Sequence, residues 1–424
     1  MRVQHLVPIR QHFPDRGLAD VRGAVLDQMS QADWAQAVPA GSRIAIGVGS
    51  RGIENIDVIV RAVVDAWKQR GCEPFLVPVM GSHGSASAEG QAGVLAHYGI
   101  TEATMGAPVV SSLDVVPVGR SPEGIDVSMD RHSFEADGVM LVSRVKWHTG
   151  FEGKLESGIH KMMAIGLGKW EGAKRYHVWG LRLGLEQVIR SVGSVMLSTG
   201  KMLGGLAILE DAQHHTAEVA AVGAAGMVEC EEELLARVKS WKANLPVRDL
   251  DLLIVDEIGK NISGAGMDTK VINRSILGRN CWPDLPRVLR IWARDLTSES
   301  GGNAVGIGQC DLISDRLFNK IDFEPTWING FTASAPQGTM LPAHFPTDRI
   351  CLEKVLPVCA RLDTLECTII RVKNTMELGE MLVSENLLPE ISTRPEVEIV
   401  GAAREIEFDA EGALEDLLAV QPTA

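Results

Sequence analysis

The feature that most constrains this chain is a repeating rhythm. An apolar run of strand length ends in a small polar loop, and a segment of helical period follows. RIAIGVGS (43–50) is the first such run; the chain then spaces Ile56, Ile59, Val63 and Trp67 along one helix face, and Gly71 closes it. PFLVPVM (74–80) is the next run, ending in GSHGSAS, where Ser85 or Ser87 is placed to cap a helix reaching His97. GVMLVSRV (138–145) and GLAILED (205–211) repeat the pattern. Strands separated by helices have room to run parallel, so the rhythm predicts an α/β fold with largely parallel sheets and right-handed crossovers.

At 424 residues the chain exceeds what one core holds, and two domains are expected. A break falls near NLPVRD (244–249). After it DLLIVDEIG opens a second series, with further strands at 287–292 and 366–372. The sequence thus divides into an N-terminal α/β domain (1–246) and a C-terminal α/β domain (247–395). The tail (396–424) is expected to pack back on the first domain, with a short amphipathic helix at 411–420. Residues 301–345, rich in Gly, Pro, Asn and Thr, read as loops. The net charge of −14 disfavours a nucleic acid partner. No uncharged run is long enough for a membrane span, and the N-terminus lacks the apolar core of a secretory signal, so a cytoplasmic location is expected. Seven scattered cysteines with no C-x-x-C point to reduced thiols rather than a disulfide scaffold or a structural zinc site. Homo-oligomerisation is left open.

In open α/β sheets ligands bind at the carboxyl ends of the strands. That directs attention to the loops carrying Ser50–Arg51, Ser82–His83, Lys146–His148 and Asp211–His215. GVGSRG (47–52) is formally the G-x-G-x-x-G of a dinucleotide site. The next strand, however, ends in Met80-Gly81-Ser82-His83 with no acidic residue for a ribose, and Arg51 fills the turn where a pyrophosphate would approach. A helix N-terminus with an arginine fork reads better as an anion site; a plain surface arginine is the bland alternative. His83, flanked by glycines, and His148, just past a strand end, are candidate proton-transfer groups, since imidazole titrates near neutral pH. The bland alternative for each is a loop histidine without a role. Residues 145–177, VKWHTGFEGKLESGIHKMMAIGLGKWEGAKRYH, hold His148, His160 and His177, with Lys154, Lys161, Lys169 and Lys174 between them, on a glycine-rich frame. No conventional zinc set is present there. His214–His215 reads as a solvated pair. Lys260, in DEIGKNISGAGMD, sits in a plausible ligand loop of the second domain. The residues alone reach a two-domain α/β protein with an Arg/His/His/Lys crevice suited to a small anion.

The combination GSRG, MGSHGSASAEGQ, KWHTGFEGKLESGIHKM and DEIGKNISGAGMD resembles the lactate racemase family and its wider group of 2-hydroxy acid racemases and epimerases. The resemblance runs from about residue 40 to 380 and is strongest in 47–100 and 140–180. It implies an isomerase of two α/β domains with the active site in the cleft between them. It also implies a nickel-pincer nucleotide, a nicotinate-derived mononucleotide joined to a lysine through a thioamide and made by dedicated cofactor-synthesis enzymes. Residue by residue, Lys161 resembles the tethering lysine and His177 the nickel ligand. His83 and His148 resemble the acid/base pair, Arg51 the grip on the substrate carboxylate, and Lys260 a lysine contacting cofactor or substrate. The gap from His148 to Lys161 is a few residues longer than in lactate racemases proper. Lys154 is therefore a rival for the tether, and His160 for a proton or nickel role. The implied chemistry removes the substrate α-hydrogen as hydride while a histidine takes the hydroxyl proton, then returns both on either face of a 2-keto acid. Two other readings stay open: an NAD-dependent 2-hydroxy acid dehydrogenase, resting on GVGSRG, and a non-catalytic binding protein for hydroxy acids or nickel. Lactate, longer hydroxy acids, diacids and sugar acids all remain candidate substrates.

Overall fold

The computed structural model describes residues 5–49, 52–81, 83–275 and 278–415. Two compact units emerge. One is Asp15–Lys242; the other joins the described parts of Met1–Pro14 and Ala243–Ala424. The first strand, β1 (Leu6–Gln11), belongs to the second of these units.

The 15–242 unit is built on five strands: β2 (Arg43–Val48), β3 (Glu73–Pro78), β4 (Gly138–Arg144), β5 (Met202–Glu210) and β6 (Thr216–Gly223). Their spatial order is β3-β2-β4-β5-β6. The first three pairings are parallel, with Ile46 opposite Leu76 and Met140; β6 closes the sheet antiparallel to β5. A parallel strand covered by helices on both sides needs apolar residues at successive positions, which is how IAIGV reads. Alternate residues serve different cores: Ile44, Ile46, Met140 and Ile208 join one cluster, while Ala45, Val139, Leu141 and Leu209 join the other. Helix α1 (Ile56–Gln69) buries Ile56, Ile59, Val63 and Trp67, the face read from the sequence. Helix α2 (Ala88–His97) starts where the Ser87 side chain accepts the Gly90 N–H at 3.0 Å. Helices α3 (Lys169–Leu183), α4 (Leu185–Ser198) and α5 (Met227–Ser240) complete the part that matters below; α4 and α5 contribute Val188, Val192, Leu234 and Leu235 to the second cluster.

The main sheet of the other unit has eight strands: β1, β7 (Asp249–Ile258), β8 (Arg287–Leu296), β9 (Leu312–Ser314), β10 (Ala343–Phe345), β11 (Ile369–Val372), β12 (Glu380–Ser384) and β13 (Val397–Ile399). Their order is β10-β9-β8-β7-β11-β12-β1-β13. The run from β10 to β11 is parallel, and β12, β1 and β13 add antiparallel strands. The expected α/β class with largely parallel sheets is the observed one.

Four features differ from the sequence reading. Residues 5–14 leave the N-terminal unit because β1 is hydrogen-bonded between β12 and β13, with Ile9 opposite both Met381 and Ile399. The tail packs on the second unit, not the first: Leu6 bridges Arg404, and the Leu414 N–H donates to Asp348 Oδ2 at 2.9 Å while its carbonyl accepts from Arg294 at 3.0 Å. The described start of the expected tail helix is a turn whose Leu414 pairs with Phe408; residues 416–420 lie outside the described residues. The 301–345 stretch includes a helix, Phe323–Thr332, started by Asp322, whose side chain accepts the Glu324 N–H at 3.1 Å. Among the described residues no helix is long and apolar enough to cross a membrane. All seven cysteines are free, and burial pushes Cys310, Cys351 and Cys359 up to about 12.

Because β1 is an internal strand whose Ile9 is buried, Ile9→Ala is expected to destabilise the second unit by about 2–5 kcal/mol. Urea unfolding followed by circular dichroism measures this; an unchanged midpoint would make β1 a dispensable appendage.

Candidate active site

Parallel pairing of β3, β2 and β4 puts their carboxyl ends on one edge of the sheet. The loops carrying His83 and His148 leave from β3 and β4, which flank β2. At a strand spacing of about 4.8 Å they start roughly 10 Å apart. Arg51, which follows β2 in the sequence, and Ser82, which precedes His83, lie outside the described residues. The backbone of the half-buried His83 is fixed from below. Its N–H donates to the Met80 carbonyl at 3.1 Å. The fully buried Gln91 of α2 donates from Nε2 to the carbonyls of Gly81, at 2.9 Å, and His83, at 3.3 Å. Helix α2 therefore holds the loop on both sides of position 82.

The segment after β4 returns to this edge. Ile159–Lys161 forms a helical turn, Met162–Gly166 a π-helical turn, and α3 follows. π-turns widen a helix locally and recur at functional sites. Contacts show where the segment docks. A Cβ at Gly166 would stand 2.7 Å from the Val79 carbonyl oxygen, one at Gly81 3.2 Å from Ile165, and one at Gly49 2.9 Å from Met162. Met162, Ile165 and Gly166 are thereby held against the ends of β2 and β3, which brings the turn that carries Lys161 to this edge, and Ala173 of α3 lies 3.5 Å from the same Gly81 position. The entry to α3 is anchored by Lys169, which the sequence reading gave no role. It is fully buried with φ +53°, a strained value for a side chain, and its Nζ donates to the Pro78 carbonyl at 2.6 Å and lies 3.3 Å from Asp130. Burial pushes the amine below its ordinary value, and Asp130 opposes that shift.

His177 has the chemistry of a metal ligand. Its Nδ1–H donates to the Ala173 carbonyl at 2.6 Å, an assignment made from the bond, so the lone pair sits on Nε2. Burial pushes the imidazole below its ordinary pKa; the Ala173 bond works the other way, and the Lys161 ammonium adds to the lowering. A neutral ring oriented by a backbone carbonyl is how protein imidazoles meet metals. Lys161 is half-buried and within electrostatic reach of this ring, whereas Lys154 is exposed. His160 is 1% exposed and faces away into the core, with Nδ1 3.0 Å from Glu231 Oε2.

The loop between β4 and Lys161 has few strand or helix partners, and three carboxylates take their place. Glu156 accepts the N–H groups of His148 and Gly153, the latter at 3.1 Å. Glu186 of α4 accepts those of Lys154, at 3.2 Å, and Leu155, at 3.1 Å. Glu231 of α5 accepts that of His160 at 3.0 Å. A Cβ at Gly153 would stand 2.1 Å from Glu186, and one at Gly158 2.1 Å from Glu231, so these two glycines let the carboxylates reach the backbone. Within the loop the Gly150 N–H donates to His148 Nδ1 at 2.9 Å. Neutral His148 then carries its proton on Nε2.

Lys260 belongs to the other unit. Its Nζ donates to the Gly264 carbonyl at 2.9 Å and to Asn329 Oδ1 at 2.6 Å. The loop ending in His214–His215 gathers Asp15, Asp211 and His215, whose ligand atoms lie within 4.8 Å of one another. The Asp211 carboxylate already accepts the N–H groups of Arg16, Gln213 and His215, which accounts for it as a turn.

Burial pushes Glu186 up, but Arg190 and the amides of Leu155 and Lys154 outweigh it and hold the carboxyl below its ordinary value. A folded pKa below the unfolded one stabilises at pH above the unfolded value, and the benefit disappears as pH falls toward the folded value. Glu186→Gln is therefore expected to cost about 1.5–3 kcal/mol at pH 7. Thermal melts of the two proteins should converge as pH drops through the carboxylate range; a gap independent of pH would sink the idea.

No protein-family model matches the chain, and no curated protein does. Among solved structures it is similar to the lactate racemase apoprotein from Thermoanaerobacterium thermosaccharolyticum, at 11% sequence identity, covering 86% of this chain and 99% of that one, with a TM-score of 0.49.

Proposed function

We propose that this chain is a racemase or epimerase of a 2-hydroxy acid that works with a nickel-pincer nucleotide tethered at Lys161. The observation that carries the reading is His177: a neutral imidazole with its Nε2 lone pair free of the Ala173 bond, within electrostatic reach of the Lys161 amine, on a helix whose Ala173 packs at Gly81 beside the His83 loop. The motifs GSRG, MGSHGS and KWHTGFEGKLESGIHKM support it from the sequence side.

The donor set fits the group. Lys161 offers the amine for the thioamide and His177 the metal ligand, and the exposed Lys154 is the weaker tether. When bound, the cofactor would supply the acceptor for the substrate α-hydrogen. The chain's own residues then have separate tasks. The α-hydrogen of a hydroxy acid is scarcely acidic, so the histidines serve the hydroxyl proton instead. One of His83 and His148 takes it as the carbonyl forms, and the two together let it return on either face. Arg51 is suited to a two-bonded grip on the carboxylate, which keeps the reacting carbon in place.

The tether is tested by co-expression with the cofactor-synthesis enzymes and nickel, followed by a peptide mass map. A nucleotide-sized adduct is expected on the Lys161 peptide. An adduct on Lys154 would move the tether and keep the function. No adduct on any lysine, beside a modified lactate racemase control, would overturn the reading, and net 2-keto acid formation with added NAD would favour a dehydrogenase.

For the loaded protein, His83→Ala and His148→Ala are each expected to slow racemisation by about 10²–10⁴-fold while the adduct is retained. Chiral chromatography of a 2-hydroxy acid panel reads the rate. Loss of the adduct from either variant would place that histidine in cofactor binding instead.

A further inference from the structure

We infer that the Glu156–Lys239 ion pair is a positioning device that sets which nitrogen of His148 carries the proton. The role of His148 in proton transfer rests on the proposed function; the control of its tautomer rests on geometry alone.

The Glu156 side chain is fully buried, and its two oxygens are used differently. Oε2 accepts the His148 N–H, while Oε1 accepts the Gly153 N–H at 3.1 Å and meets Lys239 Nζ at 2.5 Å. Lys239, from α5, also donates to the Gly153 carbonyl at 3.1 Å. One ion pair thus closes the loop at both ends, His148 and Gly153. Two groups that touch the His148 ring lie inside that closure. The Gly150 N–H donates to Nδ1 at 2.9 Å, and the Phe151 ring packs with its centroid 4.5 Å away at an interplanar angle of 34°. With Nδ1 committed as acceptor, the neutral ring holds its proton on Nε2 and presents a donor.

The charge on Glu156 is part of the device. Both of its oxygens accept backbone N–H groups, and an amide in its place turns a donor toward one of them. Lys239 holds the Gly153 end of the loop through its bonds to Glu156 Oε1 and to the Gly153 carbonyl. Glu156→Gln, nearly the same shape, therefore opens the loop at one end, and Lys239→Met removes the cation while leaving the carboxylate in place.

The test uses the cofactor-free full chain labelled with ¹⁵N-histidine. Long-range proton–nitrogen spectra report the tautomer of each ring, and a His148→Gln sample assigns the signal. Wild type is expected to show His148 as a single Nε2–H form. Glu156→Gln and Lys239→Met are expected to show a mixture of both tautomers, while His177 keeps its Nδ1–H form and thereby reports an intact fold. A wild-type His148 in the Nδ1–H form, or variants that keep the wild-type signal, would overturn the inference. Should Glu156→Gln not fold, Lys239→Met decides alone, since Lys239 is partly exposed and its replacement leaves the buried Glu156 side chain unaltered. No cofactor or substrate enters the measurement. A negative result removes this inference and leaves the racemase reading, whereas absence of an adduct at Lys161 removes that reading and leaves the control of the tautomer.

Discussion

Backbone N–H groups that find no partner in a sheet or helix must find one elsewhere, and between His148 and His160 they find carboxylates. Glu156, Glu186 and Glu231 act as substitutes for secondary structure. Hydrogen bonds to an ionised acceptor are stronger than those between neutral groups, so an irregular loop gains a rigidity closer to that of a strand. Each carboxylate has a counter-group of its own: Lys239 for Glu156, Arg190 for Glu186 and the His160 ring for Glu231. Two of the carboxylates come from α4 and α5, which pack on one face of the sheet. The shape of the loop that carries His148, and the point at which the chain enters the Lys161 turn, both follow from that packing.

The cluster at the strand ends then has a simple division. The sheet fixes where the loops begin. The π-turn and α3 close over them, and the buried Lys169 ties the start of α3 to the end of β3 at Pro78. His177 is aimed by its own helix, through the carbonyl one turn back, and needs no distant partner to hold its tautomer. His148, on a loop, needs several. That contrast follows from the elements: a helix orients a side chain through its own backbone, and a loop borrows the means from its neighbours.

Much of this was legible in the sequence. The strands at 43, 74, 138, 205 and 249 and the helix face of Ile59, Val63 and Trp67 lie where periodicity placed them, because an apolar run covered on both sides has few other solutions. The loops bearing His83 and His148 were located by the rule that sites form at strand ends. The three clamping glutamates were not legible. A carboxylate that bonds a backbone amide many residues away leaves no local spacing to read, and Glu186 and Glu231 sit in helices where a surface glutamate would look the same. Gln91 and Lys169 were missed for the same reason. The placement of β1 was missed because an edge or inner position depends on strands more than 370 residues further on, such as Met381 opposite Ile9.

That last pairing bears on how the chain is made. Residues 6–11 are made before the 15–242 unit, yet their neighbours on both sides, 380–384 and 397–399, are made after it. Throughout synthesis the first strand has no sheet to join, while the 15–242 unit has all of its own strands in hand and can close on itself. Domains fold as units as they emerge, and contacts distant in sequence form late. While residues 243–379 are being made, the nascent protein therefore holds a finished 15–242 unit beside an unpaired apolar strand. The second sheet is completed only when residues 6–11 meet 380–399.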